Sequence, residues 1–248
     1  MPDTTTLEFA CAEAWPPLVR EPLGQWWLRA AESFTGRANS ALAMGDPGLP
    51  IARALEVVCE FAHSHAVEPM VQAVHGSAQE TALADEGWVP HVHYAAGHDV
   101  SVLLGPLPPA PAAAPALSVL DEPTDAWWSL VAGSTEPTRA QRHVLAAPGT
   151  GFGVAEADGT TVGAVRLAPA RGLLHVGRLE VRPEHRRRGF AGALLGAGGD
   201  WARERDLTAC VLQVSVRNHA ALALYARLGF TEHHRYRYWV PRRGDAHP

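Results

Sequence analysis

LLHVGRLEVRPEHRRRGFAGALLGAGGDW, residues 173–201, decides the fold. Residues 173–181 read as a strand, 182–188 as a turn, and a helix rich in small residues follows from Gly189 or Phe190 to about Arg205. The turn carries Arg186-Arg187-Arg188-Gly189-Phe190-Ala191, an R-x-x-G-x-A pattern that opens the helix. Amides at a helix start point outward without intrahelical partners, and the helix dipole favours an anion there. Glycine lets backbone approach a ligand closely, and arginine adds planar charged donors. The stretch therefore reads as a cradle for phosphate oxygens. The pattern alone is common; its place after a strand ending in V-x-P and before a helix is what gives it weight.

The rest of the composition fits a globular protein. At 248 residues, with 47% hydrophobic side chains, the chain is long enough for one large domain or two small ones. No apolar run reaches the roughly 18–20 residues that span a bilayer, and the N-terminus has no basic segment leading into an apolar one. Cys11, Cys59 and Cys210 are far apart, so they read as reduced, packed thiols of a cytoplasmic protein. His91, His93 and His98, and His63 with His65, lack cysteine or carboxylate partners at ligand spacing, so no metal site is expected. All 21 basic residues are arginine. Residues 1–110 hold 4 of them against 13 Asp and Glu, and residues 111–248 hold 17 against 13. The second half thus suits a polyanionic ligand, while the overall net charge of −5 argues against nucleic acid as a partner.

Outward from the central stretch, Ala209 to Val216 is a buried strand, Asn218 caps a helix from about His219 to Leu228, Gly229 stops it, and 231–240 is a last strand. Upstream, Asp158-Gly159 joins strands 152–157 and 161–168 as a hairpin, after helices at 125–132 and 138–146 and a strand at 117–120. Residues 105–116, GPLPPAPAAAPA, hold five prolines and read as a polyproline-like linker. Before it lie strand character in 34–44, a helix at 51–65, a short strand at 69–74, a helix at 77–86 capped by Ser77 and Gly87, and a closing strand or hairpin at 92–104. Strands alternating with crossover helices imply an α/β fold with a mixed sheet. Trp26-Trp27 and Trp127-Trp128 are expected in the core.

Three stretches, in order, carry a resemblance to the GNAT N-acetyltransferase superfamily. They are Leu179-Glu180-Val181-Arg182-Pro183 running into Arg186–Ala191, then Asn218-His219-Ala220-Ala221-Leu222-Ala223-Leu224-Tyr225, then Tyr225-Ala226-Arg227-Leu228-Gly229-Phe230. Ala191 departs from the glycine more usual at the end of the phosphate loop but is still small. The first half echoes the plan: 77–88 aligns with 219–230, Gly87 matches Gly229, and Trp88 matches Phe230. It lacks R-x-x-G-x-A, and Leu83 stands where Tyr225 does. The expectation is a tandem of GNAT folds, similar in arrangement to mycothiol synthase and other actinobacterial GNAT proteins. It comprises a degenerate copy at 1–104, a Pro/Ala-rich linker at 105–116, and a catalytic copy at 117–248.

The resemblance implies acetyl-CoA as cosubstrate and direct acyl transfer to a primary amine of a small molecule or peptide. It assigns the cofactor to Leu179, Val181, Arg186, Arg187, Arg188, Gly189, Phe190, Ala191, Asn218 and Tyr225. The Val181 amide polarises the thioester carbonyl, and Tyr225, seven positions after Asn218 and so on the same helical face, protonates the leaving thiolate. The base is open between His175 and Glu180. Strand alternation puts His175, Gly177, Leu179 and Val181 on one face and Glu180 on the other. Two rival readings stand beside this one: a non-catalytic acyl-CoA-binding module, and a mycothiol synthase-like enzyme. The expected assembly is a monomer or homodimer that contacts neither membrane nor nucleic acid.

Overall fold

The computed structural model describes residues 2–109 and 116–242; residues 110–115, the centre of the proline-rich stretch, lie outside the described residues. In chain order the elements are α1 (Thr4–Glu13), β1 (Val19–Leu23), β2 (Trp26–Ala30), β3 (Ala41–Leu42), α2 (Ile51–Ser64), β4 (Val71–Val74), α3 (Ala78–Asp85), β5 (Val89–Pro90) and β6 (Asp99–Gly105). They continue with β7 (Ala116–Leu120), α4 (Asp125–Ala132), α5 (Arg139–Leu145), β8 (Gly151–Ala157), β9 (Thr160–Ala170), β10 (Leu173–Val181), α6 (Phe190–Arg203), β11 (Ala209–Ser215), α7 (His219–Arg227) and β12 (Thr231–Val240).

Two compact units emerge, and no single cut in the chain separates them. The second-half unit comprises the N-terminal stretch through Ala14, Leu103–Gln213 and Ala220–Thr231; the first-half unit takes Trp15–Val102, Val214–His219 and the chain from Glu232 onward. Helix α1 was not legible in the sequence. It buries Leu7, Glu8, Ala10, Cys11 and Ala12, which lie on several sides of the helix, so no apolar stripe marks it. It contacts β9 and β10, and Arg171 in their connecting turn donates to both Glu13 carboxylate oxygens at 3.0 and 2.7 Å.

In the first-half unit the strand order is β1-β2-β3-β4-β12-β6, with β5 also on β12. β3 and β4 are parallel, and β4 and β12 antiparallel. The strand expected within 34–44 shrinks to Ala41–Leu42. A 3-10 turn at Gly36–Ala38 precedes it, held by the Asn39 side chain, which accepts from the Ala31 and Ser33 amides. The closing strand begins only at Asp99, because turns ending at Gly97 (φ +90°) occupy 91–98. Trp26, Leu28, Leu55, Val58, Val71, Leu83 and Trp239 form the core.

In the second-half unit β7, β8, β9 and β10 pair antiparallel in sequence, and β11 joins β10 in parallel. Helix α6 covers one face. Its Gly198 lies so close to Leu167 that a Cβ would stand 2.7 Å from Leu167 Cδ2, so the small residues of this helix are what let it approach the sheet. Helix α4 covers the opposite face, with Trp127 edge-on to Phe152 at 5.0 Å and its indole N–H donating to Val165 O. Trp127, Trp128 and Trp26 are buried, as expected; Trp27 is half-buried under the Arg20 guanidinium. The first residues of the proline-rich stretch are fixed as well: Arg203 donates to Leu107 O and Pro108 O at 2.9 and 3.0 Å.

The internal repeat shows in matching local geometry. Helices α2 and α6 both have 14 residues. Each ends in a left-handed residue, Ala66 (φ +53°) and Asp206 (φ +57°), followed by equivalent bonds from Val67 N to Ala62 O and from Leu207 N to Ala202 O. Helices α3 and α7 both stop at glycines of φ +81° and +84°, with Trp88 N donating to Leu83 O and Phe230 N to Tyr225 O. Left-handed helix ends of this kind satisfy otherwise orphaned carbonyls.

Candidate active site

The site is built where β10 leaves β11. The parallel pairing runs from Leu173↔Ala209 to Val176↔Leu212, so residues 177–181 continue along β9 only. Both strands are parallel, and both lead at their C-terminal ends into helices, β10 into α6 and β11 into α7. Ligands of α/β sheets bind at this kind of strand-end crevice.

Between Gly177 and Glu180 the register of β10 against β9 slips. Gly177 opposes Arg166, but Glu180 opposes Ala164, so Arg178 and Leu179 together face the single residue Val165. This is a β-bulge, and Arg178 takes the left-handed conformation that allows it (φ +52°). One extra residue inverts the alternation beyond it. Hence the expected face sharing is corrected: Glu180, not Val181, lies on the α4-covered face with His175 and Gly177. Val181 shares the α6 face with Val176.

His175 is 0% exposed, in the part of β10 bonded on both sides. Glu180 is half-buried in the part that β11 has left. Burial pushes its carboxyl above the usual carboxylate range, while the guanidiniums of Arg178 and Arg186 pull it back down.

The strand end is pinned in a definite orientation. The Arg182 amide donates to Val162 O on β9 at 2.8 Å. Successive amides of an extended strand point to opposite sides. The Val181 N–H and C=O therefore both face away from β9, toward the space β11 has vacated. The Val181 carbonyl accepts from Arg186 Nε at 3.1 Å, and Arg182 Nε donates to Thr161 O at 2.9 Å.

Past a 3-10 turn at Pro183–His185, Arg186, Arg187, Arg188 and Gly189 are exposed. Gly189 is the N-cap of α6 at φ +89°, with no side chain to cap the first turn, whose amides at Phe190, Ala191 and Gly192 have no intrahelical acceptor. A Cβ built on Gly189 or Gly192 meets nothing within 4 Å. Phe190 is buried and carries the Arg188 guanidinium 5.7 Å from its ring centroid and the His185 ring at 6.1 Å, which orders the turn. An open, uncapped, arginine-rich helix start fits a pyrophosphate.

Asn218 is exposed just before α7 and its amide donates to Ser215 O at 2.9 Å. Tyr225 is buried on α7, 5.7 Å from the Phe230 ring. Sequence reasoning anticipated the strand, turn and helix start of this stretch but missed the bulge at Arg178, for which no residue type gave a signal.

The equivalent first-half stretch is built differently. The loop 45–50, GDPGLP, ends in Pro50 as N-cap of α2. The Gly45 carbonyl accepts from both the Trp26 indole at 3.1 Å and Gln79 Nε2 at 2.9 Å.

Comparison with known proteins agrees with this geometry. The family model described as "Probable histone acetyltransferase Rv0428c C-terminal" matches residues 3–239. The mycothiol acetyltransferase of Tsukamurella paurometabola is 40% identical over 91 residues, 36% of this chain and 31% of that protein. N-acetyltransferase 8 of Rattus norvegicus is 33% identical over 102 residues, 39% of this chain and 46% of that protein. The chain thus spans less than half the length of these curated relatives. In fold it is similar to a GCN5-related N-acetyltransferase from Kribbella flavida (TM-score 0.69, 16% identity, 96% of each chain). It is also similar to a tandem GNAT protein from the clavulanic acid biosynthesis pathway (TM-score 0.60, 16% identity, 94% of this chain and 86% of that one). A splayed parallel strand pair, the R-x-x-G-x-A loop opening α6, and a family match over nearly the whole length place this chain in the GNAT N-acetyltransferase family.

Proposed function

We propose that the second-half unit transfers the acetyl group of acetyl-CoA to a primary amine by direct attack, and that the first-half unit is a copy without a cofactor site. The observation that carries the reading is the parting of β10 and β11 after Val176, with the uncapped start of α6 directly beyond it. The amides of residues 187–191 hold the pyrophosphate, and Arg186–Arg188 add charge-assisted bonds, each worth about 1.5–3 kcal/mol. Leu179 and Asn218 are the residues assigned to the pantetheine arm. Bound there, acetyl-CoA supplies an activated thioester. The Val181 N–H, aimed into the vacated space, donates to the thioester oxygen as charge develops on it.

The incoming amine arrives as an ammonium ion and must lose a proton before it can attack. Glu180 takes that role in our reading. It is half-buried at the parted segment, and desolvation raises its proton affinity above that of an ordinary carboxylate. His175 is enclosed five residues earlier, where both neighbouring strands are still paired, so a role for it requires a water path. Tyr225 protonates the departing thiolate, and Asn218 starts its helix.

In the first-half unit, Pro50 and Pro47 remove amides from the equivalent loop, Asp46 adds an unfavourable charge, and the Gly45 carbonyl is held by the Trp26 indole and the Gln79 amide. Leu83 replaces the acid. One bound CoA per chain follows.

The acceptor amine is open. A cysteinyl glycoside belongs in the first screen because of the local likeness to a mycothiol acetyltransferase. Calorimetry with acetyl-CoA, followed by thiol release across small-molecule and peptide amines, tests the reading. Tight binding without release on any amine points to an acyl-CoA-binding module, and absence of CoA binding removes both.

A further inference from the structure

The proline-rich stretch expected to be a linker begins as a fastened strap. Residues 105–108 continue from the end of β6 and touch first the end of α7, then α6 near its C-terminus. A Cβ at Gly105 would stand 2.7 Å from Cγ and Cδ1 of Phe230 and 3.1 Å from its Cα, so the backbone at 105 lies directly on Phe230. The Pro106 ring lies beside Gly229, its Cγ 3.5 Å from where a Cβ would be. At the other end a Cβ at Gly199 would overlap the carbonyl of Pro108, which is buried. Arg203, one helical turn on, donates from Nη2 to Leu107 O and Pro108 O at 2.9 and 3.0 Å, while its Nη1 donates to Asp200 Oδ1 at 2.6 Å.

The residue types suit this use. Pro106 and Pro108 bring no amide that would need an acceptor, and their locked φ makes the segment stiff. Glycine inside a helix costs about 0.5–1 kcal/mol relative to alanine, and at Gly199 it secures the close approach of the strap. Phe230 is what the strap acts on. Its ring lies 5.7 Å from the Tyr225 ring, its amide donates to Tyr225 O at 3.1 Å, and both side chains are buried.

We propose that residues 105–108 are a positioning strap for Tyr225. Gly199 and Arg203 anchor the strap on α6, the strap holds Phe230, and Phe230 sets the Tyr225 ring. The helix that opens with the arginine-rich loop is thereby tied to the helix that carries the phenol. The effect on turnover rests on the acid role given to Tyr225 above, but the position of the ring is read without it.

The chain holds four tyrosines, Tyr94, Tyr225, Tyr236 and Tyr238, and all but Tyr225 belong to the first-half unit. The full chain labelled with 3-fluorotyrosine gives one 19F NMR signal for each, and Tyr225→Phe identifies the one of interest. Gly105→Ala pushes on Phe230 directly, Gly199→Ala displaces the Pro108 carbonyl, and Arg203→Met removes the two carbonyl bonds at an exposed position. The Tyr225 signal is expected to shift in each variant while the other tyrosines hold theirs. Arg203→Met carries the test if the crowded glycine variants do not fold. A Tyr225 signal unmoved in Arg203→Met overturns the anchor, and one unmoved in a folded Gly105→Ala overturns the action on Phe230. A shift of all the tyrosine signals in Arg203→Met marks a general loosening and overturns the proposal as well. With an accepting amine in hand, kcat in Arg203→Met should fall about tenfold while CoA affinity by calorimetry stays within about twofold. A matching loss of CoA affinity would assign the strap to α6 alone and refute its action on the phenol. If Tyr225→Phe leaves kcat unchanged, the acid reading fails, and the 19F shifts still decide whether the strap sets the ring.

Discussion

Replacing Gly189 by alanine isolates the phosphate loop from everything else. Gly189 sits at φ +89°, where an L-residue pays about 1–2 kcal/mol. The added Cβ meets no atom within 4 Å, so neither a clash nor a packing gain enters the balance. The position is exposed, and the first turn of α6 can relax by rotating its leading peptide out of the cradle. The cost then appears where the cradle is needed, as about 5–30-fold weaker CoA binding. The stability change is small, at most about 2–4 °C per kcal/mol for a chain of this size. Calorimetric titration with CoA, repeated with pantetheine, which lacks the pyrophosphate, reads the effect. The variant should lose affinity for CoA and keep its affinity for pantetheine within about twofold. Equal CoA affinity in both proteins, or an equal loss for pantetheine, would refute the idea that these amides hold phosphate.

Three further outcomes follow from named residues. Tyr225→Phe should lower kcat about 10²–10⁴-fold with CoA affinity unchanged, as rapid-quench kinetics beside calorimetry would show; an unaltered kcat removes Tyr225 from the acid role. Glu180→Gln should stabilise the fold at neutral pH. A carboxyl whose folded pKa is raised by burial contributes stability only when protonated, and that contribution is lost as pH rises through the raised value. The gain in Tm should therefore vanish toward pH 4, and a pH-independent gain contradicts the assignment. Gly192→Ala, inside α6 with open space at its Cβ, should add about 0.5–1 kcal/mol of stability while obstructing the loop's approach to the pyrophosphate. A rise in Tm with undiminished CoA affinity would place the ligand elsewhere.

How far the sequence reaches differs from one element to the next. Local chemistry was enough for the order strand, turn, helix over 173–201, for the glycine stops at Gly87 and Gly229, and for the cap at Ser77, since each depends on residues within one turn of the chain. The internal repeat was visible from one helix and one glycine and acquires its detail only from the matching hydrogen bonds of α2 with α6 and α3 with α7. Helix α1 was hidden because it is buried on several sides and shows no periodicity. The placement of β12 beside β4 was equally hidden, since a period-2 strand says which residues share a face and nothing about its partner.

The active-site stretch divides along the same line. The sequence by itself determined that Arg186–Ala191 would be a turn opening a helix, because glycine, arginine and a helix start are local properties. Only the tertiary structure decided which residue of the end of β10 shares a face with His175. Alternation put His175 in line with Val181, and the bulge at Arg178 overturned it, because register is counted against Val165 on β9, a residue of another strand. Where β11 parts from β10 is likewise a property of the pair, and it separates an enclosed histidine from a half-buried carboxylate five residues along the same strand.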